Sequence, residues 1–324
     1  MKSAGLKQVD EGQTFQGYCI IRKLELKQKQ DGDPYLVMEV GDRTGRLTGV
    51  VWNHAQELYQ NLHIGQILKI RGKLRRFHDR KQLQIEKIRV AREGEIQPED
   101  LLPRSEKAIK PLYQRFLNHY HSIEDEYLSQ LLQAVFPEEK SLQLFLKLPS
   151  GKLWHHNYLY GMLEHLVVLL DLTEPLLQHY PALNADLLKT GIILYALGTE
   201  QTFQKDGFID YSDRGRLWGR ALLGVLQVEQ KIREIEHFPE ELKNQIIHLM
   251  VSQSGRDATD ASVKPMTREA IALQKLIELD TTLNAVERII RHDRLQHTSW
   301  TRYNNLLDRF IYVGNETNHQ DNGE

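Results

Sequence analysis

The sequence is short of several things on which a function could be built. It has one cysteine, Cys19, among 324 residues. That excludes an intrachain disulfide and a cysteine-ligated zinc site. No apolar run reaches the roughly 18 residues that a membrane span needs. The opening stretch MKSAGLKQVDEGQ has no apolar segment of the signal-peptide kind. There is no Gly-Lys-Ser phosphate loop and no Gly-x-Ser-x-Gly elbow. Together these absences favour a cytoplasmic protein with no membrane partner.

What is present is ordinary in amount and uneven in distribution. Hydrophobic residues make up 40% and charged residues 27%, enough to bury a core. The length suits two domains. The net charge of −2 hides a polarity: Phe15 to Arg92 hold 16 Lys or Arg against 8 Asp or Glu. A balance of +8 there leaves −10 for the rest. The first part is therefore suited to an anionic partner, the bland reading being a solvated basic surface.

Residues 15–92 read as strands parted by turns. FQGYCIIRKLELKQ is a long first strand, with Gly17 as the place for a bend. YLVMEV and RLTGVVWN follow QDGDP and GDRTG turns. HAQELYQNL is one short helix, then come ILKIRGKL, a FHDRKQ turn and LQIEKIRVA. Five strands with a helix between the third and fourth is the order of an OB-fold barrel. Along the fourth strand Ile67, Lys69, Arg71, Lys73 and Arg75 share one face, and Leu68, Ile70, Gly72 and Leu74 the other. Arg76, Arg80 and Lys81 extend the cationic ladder through the turn. Such a ladder can track a phosphate backbone, while Tyr35, Trp52 and Phe77 are candidates to stack bases. Trp52 follows Val50-Val51, so a core position is open to it too. No base-reading pattern is visible, so single strands of RNA or DNA with little sequence preference are the expected partner.

The stretch GYCIIRKLELKQKQDGDPYLVMEVGDRTGRLTGVVW resembles the nucleic-acid-binding OB domains of the anticodon-binding type. The resemblance rests on its turn, its PYL strand and the Asp-x-Thr-Gly turn before VW.

Beyond a connector at 93–111 with three prolines, the patterns are helical. Ser122 with Asp125 suggests a capping box before EYLSQLLQAVF. Pro137 opens the next segment. Gly161 onward is a largely apolar helix, with a bend expected near Pro175. Asn184 caps ADLLKTGIILYAL, which Gly198 ends. Pro239 and Thr267 open two more helices, the first closed by Gly255. The expected plan is α+β: a tail at 1–14, a five-stranded OB-fold barrel at 15–92, the connector, an all-α domain at 112–313 and a disordered tail at 314–324.

GKLWHHNYLYGMLEHLVVLL, LNADLLKTGIILYALG, GRLWGRALLG, IIHLMVSQSG and REAIALQKLIELDTTLNA together resemble, in order and spacing, the HD domain of the YhaM-type 3′-5′ exoribonucleases. That family also places an OB domain first. The resemblance implies a metal-bound phosphodiesterase centre, yet the matching positions depart from it. The His-Asp pair is Tyr195-Ala196, a His is Arg220, His-His-Gly is Gln253-Ser254-Gly255, and an Asp is Ile277 with Gln274 for a His. His165, His248 and Asp280 match, with His155 or His156 upstream. Phosphodiester cleavage needs several His and carboxylate ligands around one or two divalent ions. Ala196 and Ile277 offer none, and Arg220 would repel a cation.

The expectation is therefore a single-stranded nucleic-acid-binding protein, RNA by resemblance, whose HD centre is degenerate and holds no metal or cofactor. An Arg220–Asp280 salt bridge is expected to fill the vacated pocket. His155 and His156 read as packing or surface residues, at most one of them entering that pocket. His165 reads as a hydrogen-bonded core residue, and Asp206, Asp210 and Asp213 as an acidic turn. The helical domain would be a scaffold, a self-association surface of a homo-oligomer, or the binder of another ligand. Two alternatives stand beside this: an active nuclease with altered ligands and a metal such as manganese, and an OB module that binds a protein.

Overall fold

In the computed structural model, residues 5–77, 80–152, 154–203, 209–253, 263–293 and 298–314 are described. Two hydrophobic cores divide them, one inside a barrel and one among helices. The barrel strands are β1 (Thr14–Gln28), β2 (Pro34–Asp42), β3 (Gly45–Val51), β4 (Ile67–Phe77) and β5 (Arg80–Val90). They close in the order β1-β2-β3-β5-β4. β3 and β5 pair in parallel and the other pairs are antiparallel. Helix α1 (Ala55–Asn61) lies between β3 and β4 in the chain. This is the five-stranded OB topology that the turn spacing predicts.

β1 serves two neighbours. Thr14–Ile20 pair with β4, and Ile20–Gln28 pair with β2. The irregularity between these halves lies between Ile21 and Lys23. Gly17 instead sits buried opposite Ile70 in regular pairing. A bulge takes up the bend there because an extra residue sharpens a strand's twist. FHDRKQ is not a six-residue turn: β4 and β5 stay paired out to Phe77 opposite Arg80. The barrel core holds Phe15, Cys19, Leu36, Met38, Leu68, Ile70, Leu74 and Leu83. Each such aliphatic side chain contributes about 1.5–3 kcal/mol on burial.

The helical region comprises α2 (Ile109–His121), α3 (Glu126–Val135), α4 (Glu139–Leu146), α5 (Gly161–His179), α6 (Ala185–Leu194), α7 (Thr199–Thr202), α8 (Asp213–Ile232), α9 (Glu240–Val251) and α10 (Arg268–Asp293). α6 and the first half of α5 are buried almost all round, as apolar runs without a polar stripe must be. Their neighbours α2, α4, α9 and α10 cover them. Several expected caps are present. Asn184 accepts from the Leu187 N–H at 3.0 Å, and Thr267 from the Ala270 N–H at 3.2 Å.

Other expectations shift. Asp125 caps α3 by accepting from the Leu128 N–H, whereas Ser122 closes α2 and donates to the His119 carbonyl. α6 ends at Leu194, and Tyr195–Gly198 form turns before α7. Pro175 sits inside α5, which continues past it to His179. α8 is broken at Gly219, whose φ of 76° suits a residue without Cβ. Ser254, Gly255, Asp206 and residues 315–324 lie outside the described residues.

Barrel and helices meet at a cleft of about 680 Å³, whose walls include Arg22, Arg46, Lys152, Trp154 and Arg288. Among the described residues no helix is long and apolar enough to cross a membrane.

Candidate nucleic-acid interface and helical centre

The alternation on β4 sets the barrel's outer face. Leu68, Ile70, Gly72 and Leu74 are buried, while Arg71, Lys73 and Arg75 are exposed and Lys69 half-buried. Strand pairing puts Lys69 opposite Arg89 and Arg71 opposite Lys87. Like charges directly across a pair destabilise a sheet, so the arrangement is suited to an anion lying across both strands. The register shifts between Arg71 and Gly72. Gly72 is required there because a Cβ would fall 2.5 Å from the Gln84 carbonyl oxygen.

A groove of about 1100 Å³ runs over this surface, with Trp52, Lys69, Arg71, Gln84, Lys87 and Arg89 among its walls. Trp52 is 41% exposed and stacks on Tyr35, ring centroids 5.0 Å apart at 25°. The open question about Trp52 thus resolves to the surface. Lys29 lies 5.8 Å above its ring, and Lys69 lies 5.0 Å above Tyr18. Arg89 is committed to Glu95 through two hydrogen bonds of 2.6 and 2.8 Å. That pairing, with the Arg92 N–H, holds the Glu95 carboxyl down at about 2.

Of the ten residues expected to meet nucleic acid, only Trp52, Lys69 and Arg71 line this groove. Lys73, Arg75, Arg76, Phe77 and Lys81 are exposed farther along the β4–β5 hairpin. Arg76 there sits 3.6 Å from Glu11. Phe77 is 63% exposed. Arg80 begins β5, and its side chain is outside the described residues. Sequence reasoning missed Lys87 and Arg89. Their charge was visible, but their place opposite Lys69 and Arg71 depends on register.

The helical centre gathers side chains from four segments. Asp280 on α10 accepts from His156 Nε2 at 2.9 Å and from His165 Nδ1 at 2.5 Å, both on one carboxylate oxygen. With Nδ1 donating, His165 Nε2 accepts from the Tyr195 hydroxyl at the end of α6. His156 Nδ1 lies 3.0 Å from the Tyr158 hydroxyl, and the His156 backbone N–H donates to Asn284 Oδ1 at 3.0 Å. Burial pushes the His165 imidazole down, against the pull of the Asp280 hydrogen bond. Burial also pushes His155 well below its ordinary value, with His165 and His156 adding to it. Burial alone would raise the Asp280 carboxyl, but the hydrogen bonds of His156 and His165 hold it far below the usual carboxylate range. The Tyr195 hydroxyl is pushed up by burial.

Three expectations are corrected here. Asp280 is held by two histidines, not by Arg220, whose guanidinium instead lies 4.9 Å over the Tyr195 ring. His155 and His156 both enter the centre, their rings 5.4 and 5.5 Å from that of His165. The reason is local: His156 has a φ of 41°, which turns the chain so that neighbouring rings converge. Finally, among the described residues no hydrogen bond, ion pair or ring contact joins His248 or Gln253 to the cluster. His248 Nε2 accepts from the Met266 N–H, and Gln253 donates to Ser252 and the Ala270 carbonyl. Ala196 is fully buried and Ile277 packs half-buried against the helical core. Asp210 is neutralised by Lys152 and Arg216.

The donor set can be weighed against a phosphodiesterase metal centre. One donor atom from each of His156, His165 and Asp280 lies within 4.8 Å of the others. Three donors fall short of what a two-ion centre needs. Each of these three is already engaged inside the cluster, and none lines the cavity beside it. Among the described residues, the donor set does not fit a substrate-facing metal pair.

Comparison with known proteins gives the following. Residues 21–91 match the tRNA anti-codon family, described as an OB-fold nucleic acid binding domain. The "3'-5' exoribonuclease YhaM" of Geobacillus sp. (strain WCH70) is 24% identical over 288 residues, 88% of either chain. That of Shouchella clausii is 26% identical over 290 residues, 88% of this chain and 89% of the other. Among solved structures, the second OB-fold domain of replication protein A from Methanococcus maripaludis covers 29% of this chain and 98% of its own. It is 13% identical with a TM-score of 0.24, too low to argue from. Along nearly nine tenths of its length, then, the chain is similar to the YhaM 3'-5' exoribonucleases, and its residues 21–91 match an OB-fold nucleic acid binding domain.

Proposed function

We propose that this protein binds single-stranded nucleic acid, RNA in preference, through the barrel groove, and that its helical centre does not cleave it. The observation that carries the binding is the cluster of Lys69, Arg71 and, opposite it, Lys87 beside the exposed Trp52. Cations supply the affinity for phosphates, and an aromatic face accepts any base. The preference for RNA rests on the similarity to 3'-5' exoribonucleases. The absence of cleavage rests on the self-satisfied His156–Asp280–His165–Tyr195 cluster and on Ala196 and Ile277.

The experiment is fluorescence anisotropy with a labelled oligoribonucleotide across a salt series. Replacing Lys69, Arg71 and Lys87 together by Ala is expected to weaken binding on the order of a hundredfold at 0.1 M salt and to flatten the salt slope by about 2. Unchanged affinity would remove the groove from the account. The convergence of His156, His165 and Asp280 favours a second reading, a metal-dependent 3′-5′ exoribonuclease. Trimming of the same strand with manganese, abolished by a chelator, would establish that reading in place of the first.

A further inference from the structure

Beside the helical centre lies a cavity of about 450 Å³, within the range of small-ligand sites. Arg220 and Lys152 bring positive charge to its wall. Among the described residues Arg220 makes no ion pair with an acid. Its guanidinium lies 4.9 Å over the Tyr195 ring. Lys152 pairs with Asp210, but that carboxylate is shared with Arg216, so two cations face one anion. The region therefore carries a surplus of positive charge within low-dielectric walls.

Two polar atoms on that wall are buried and make no hydrogen bond: Thr199 Oγ1 and His155 Nδ1. Thr199 is 1% exposed. A buried polar atom without a partner costs about 1–3 kcal/mol, so such atoms call for an explanation. His155 Nε2 lies 3.3 Å from the Ser150 hydroxyl. If that hydroxyl donates, Nδ1 carries the ring proton and is a buried donor without a partner. A threonine hydroxyl, an imidazole N–H, a guanidinium and an ammonium make a donor set for tetrahedral oxygens.

Aromatic rings share the lining with the cations. Phe203 and Tyr211 stack with centroids 5.5 Å apart at 20°, Lys152 lies 5.1 Å over the Tyr211 ring, and Trp154 also lines the cavity. Aromatic faces accept a base of any identity. Arg220 directly follows the break in α8 at Gly219. It is fixed by close packing as well: a Cβ on Gly198 would fall 2.1 Å from the Arg220 carbonyl oxygen.

We infer that this cavity binds a nucleoside monophosphate without a metal. The phosphate dianion meets Arg220, Lys152, Thr199 and His155, and the base meets the aromatic wall. The site is separate from the barrel groove, and it stands or falls independently of whether that groove binds nucleic acid. It also differs from hydrolysis at a metal centre, since Arg220 takes the role of the cation.

The test is calorimetric titration of the full chain with AMP in the presence of EDTA, with adenosine and inorganic phosphate as comparisons. AMP is expected to bind and to raise the melting temperature, adenosine to do neither, and phosphate to bind more weakly than AMP. Arg220→Gln is expected to weaken AMP at least tenfold. Thr199→Val, which keeps the side-chain shape, is expected to weaken it several-fold and guards against misreading a folding defect of the first variant. No binding of AMP at millimolar concentration would overturn the inference. So would equal affinity in wild type and both variants, or binding that appears only when manganese replaces EDTA. Phosphate binding as tightly as AMP would overturn the nucleotide assignment.

Discussion

The two domains place the same chemical groups in opposite ways. The barrel turns its cations outward, where Lys69, Arg71 and Lys87 face solvent and one another. The helical domain turns its titratable groups inward, where His156, His165, Asp280 and Tyr195 satisfy one another away from water. The outward set repels itself across the paired strands and is available to a partner. The inward set stabilises its domain only while every member is present, because a half-satisfied buried network is worse than an apolar one.

The sharpest way to break this contrast is Asp280→Ala. It leaves His156 and His165 without their shared acceptor. The expected cost is about 3–5 kcal/mol to the helical domain, by analogy with breaking a buried pair. Denaturant unfolding followed by far-ultraviolet circular dichroism measures it, and a cost under about 1 kcal/mol would mean that the network is ornamental. On the barrel, Trp52→Ala is expected to weaken oligoribonucleotide binding by about 1–3 kcal/mol while leaving the salt slope unchanged. A changed slope would show that the ring positions cations rather than bases.

The smallest effect is on pH. His155 and His165 are pushed down by burial, so the folded chain keeps them neutral where the unfolded chain takes up protons. Their contribution is complete above the ordinary histidine value of about 6.5 and is lost as pH falls through that value. Asp280, held far lower, keeps its contribution to much more acid pH. The melting temperature of the helical domain is expected to fall between pH 7.5 and 5.5, by about 2–4 °C for each kcal/mol lost. Scanning calorimetry at the two values checks it. A barrel transition that shifts equally would dissolve the contrast.

The barrel was legible because strand geometry is local. A period of two on β4 assigns Lys69 and Arg71 to one face and Leu68 and Ile70 to the other without knowing any neighbour. Its cross-strand partners were not legible, since the shift between Arg71 and Gly72 decides which cation meets which. In the helical domain the caps at Asn184 and Thr267 are local and were readable. The centre is not local. It joins positions 156, 165, 195 and 280, and the turn at His156 that brings two adjacent rings inward depends on a positive φ. An Arg220–Asp280 bridge was a reasonable electrostatic guess. It failed because the two histidines reach the carboxylate and Arg220 lies over the Tyr195 ring.

Lys152 and Trp154 line both the cleft between barrel and helices and the smaller helical cavity. A ligand that orders either side chain from one side thereby fixes part of the wall on the other. Ligands in the two spaces would therefore be coupled through these two side chains, and linkage requires the factor to be the same in both directions.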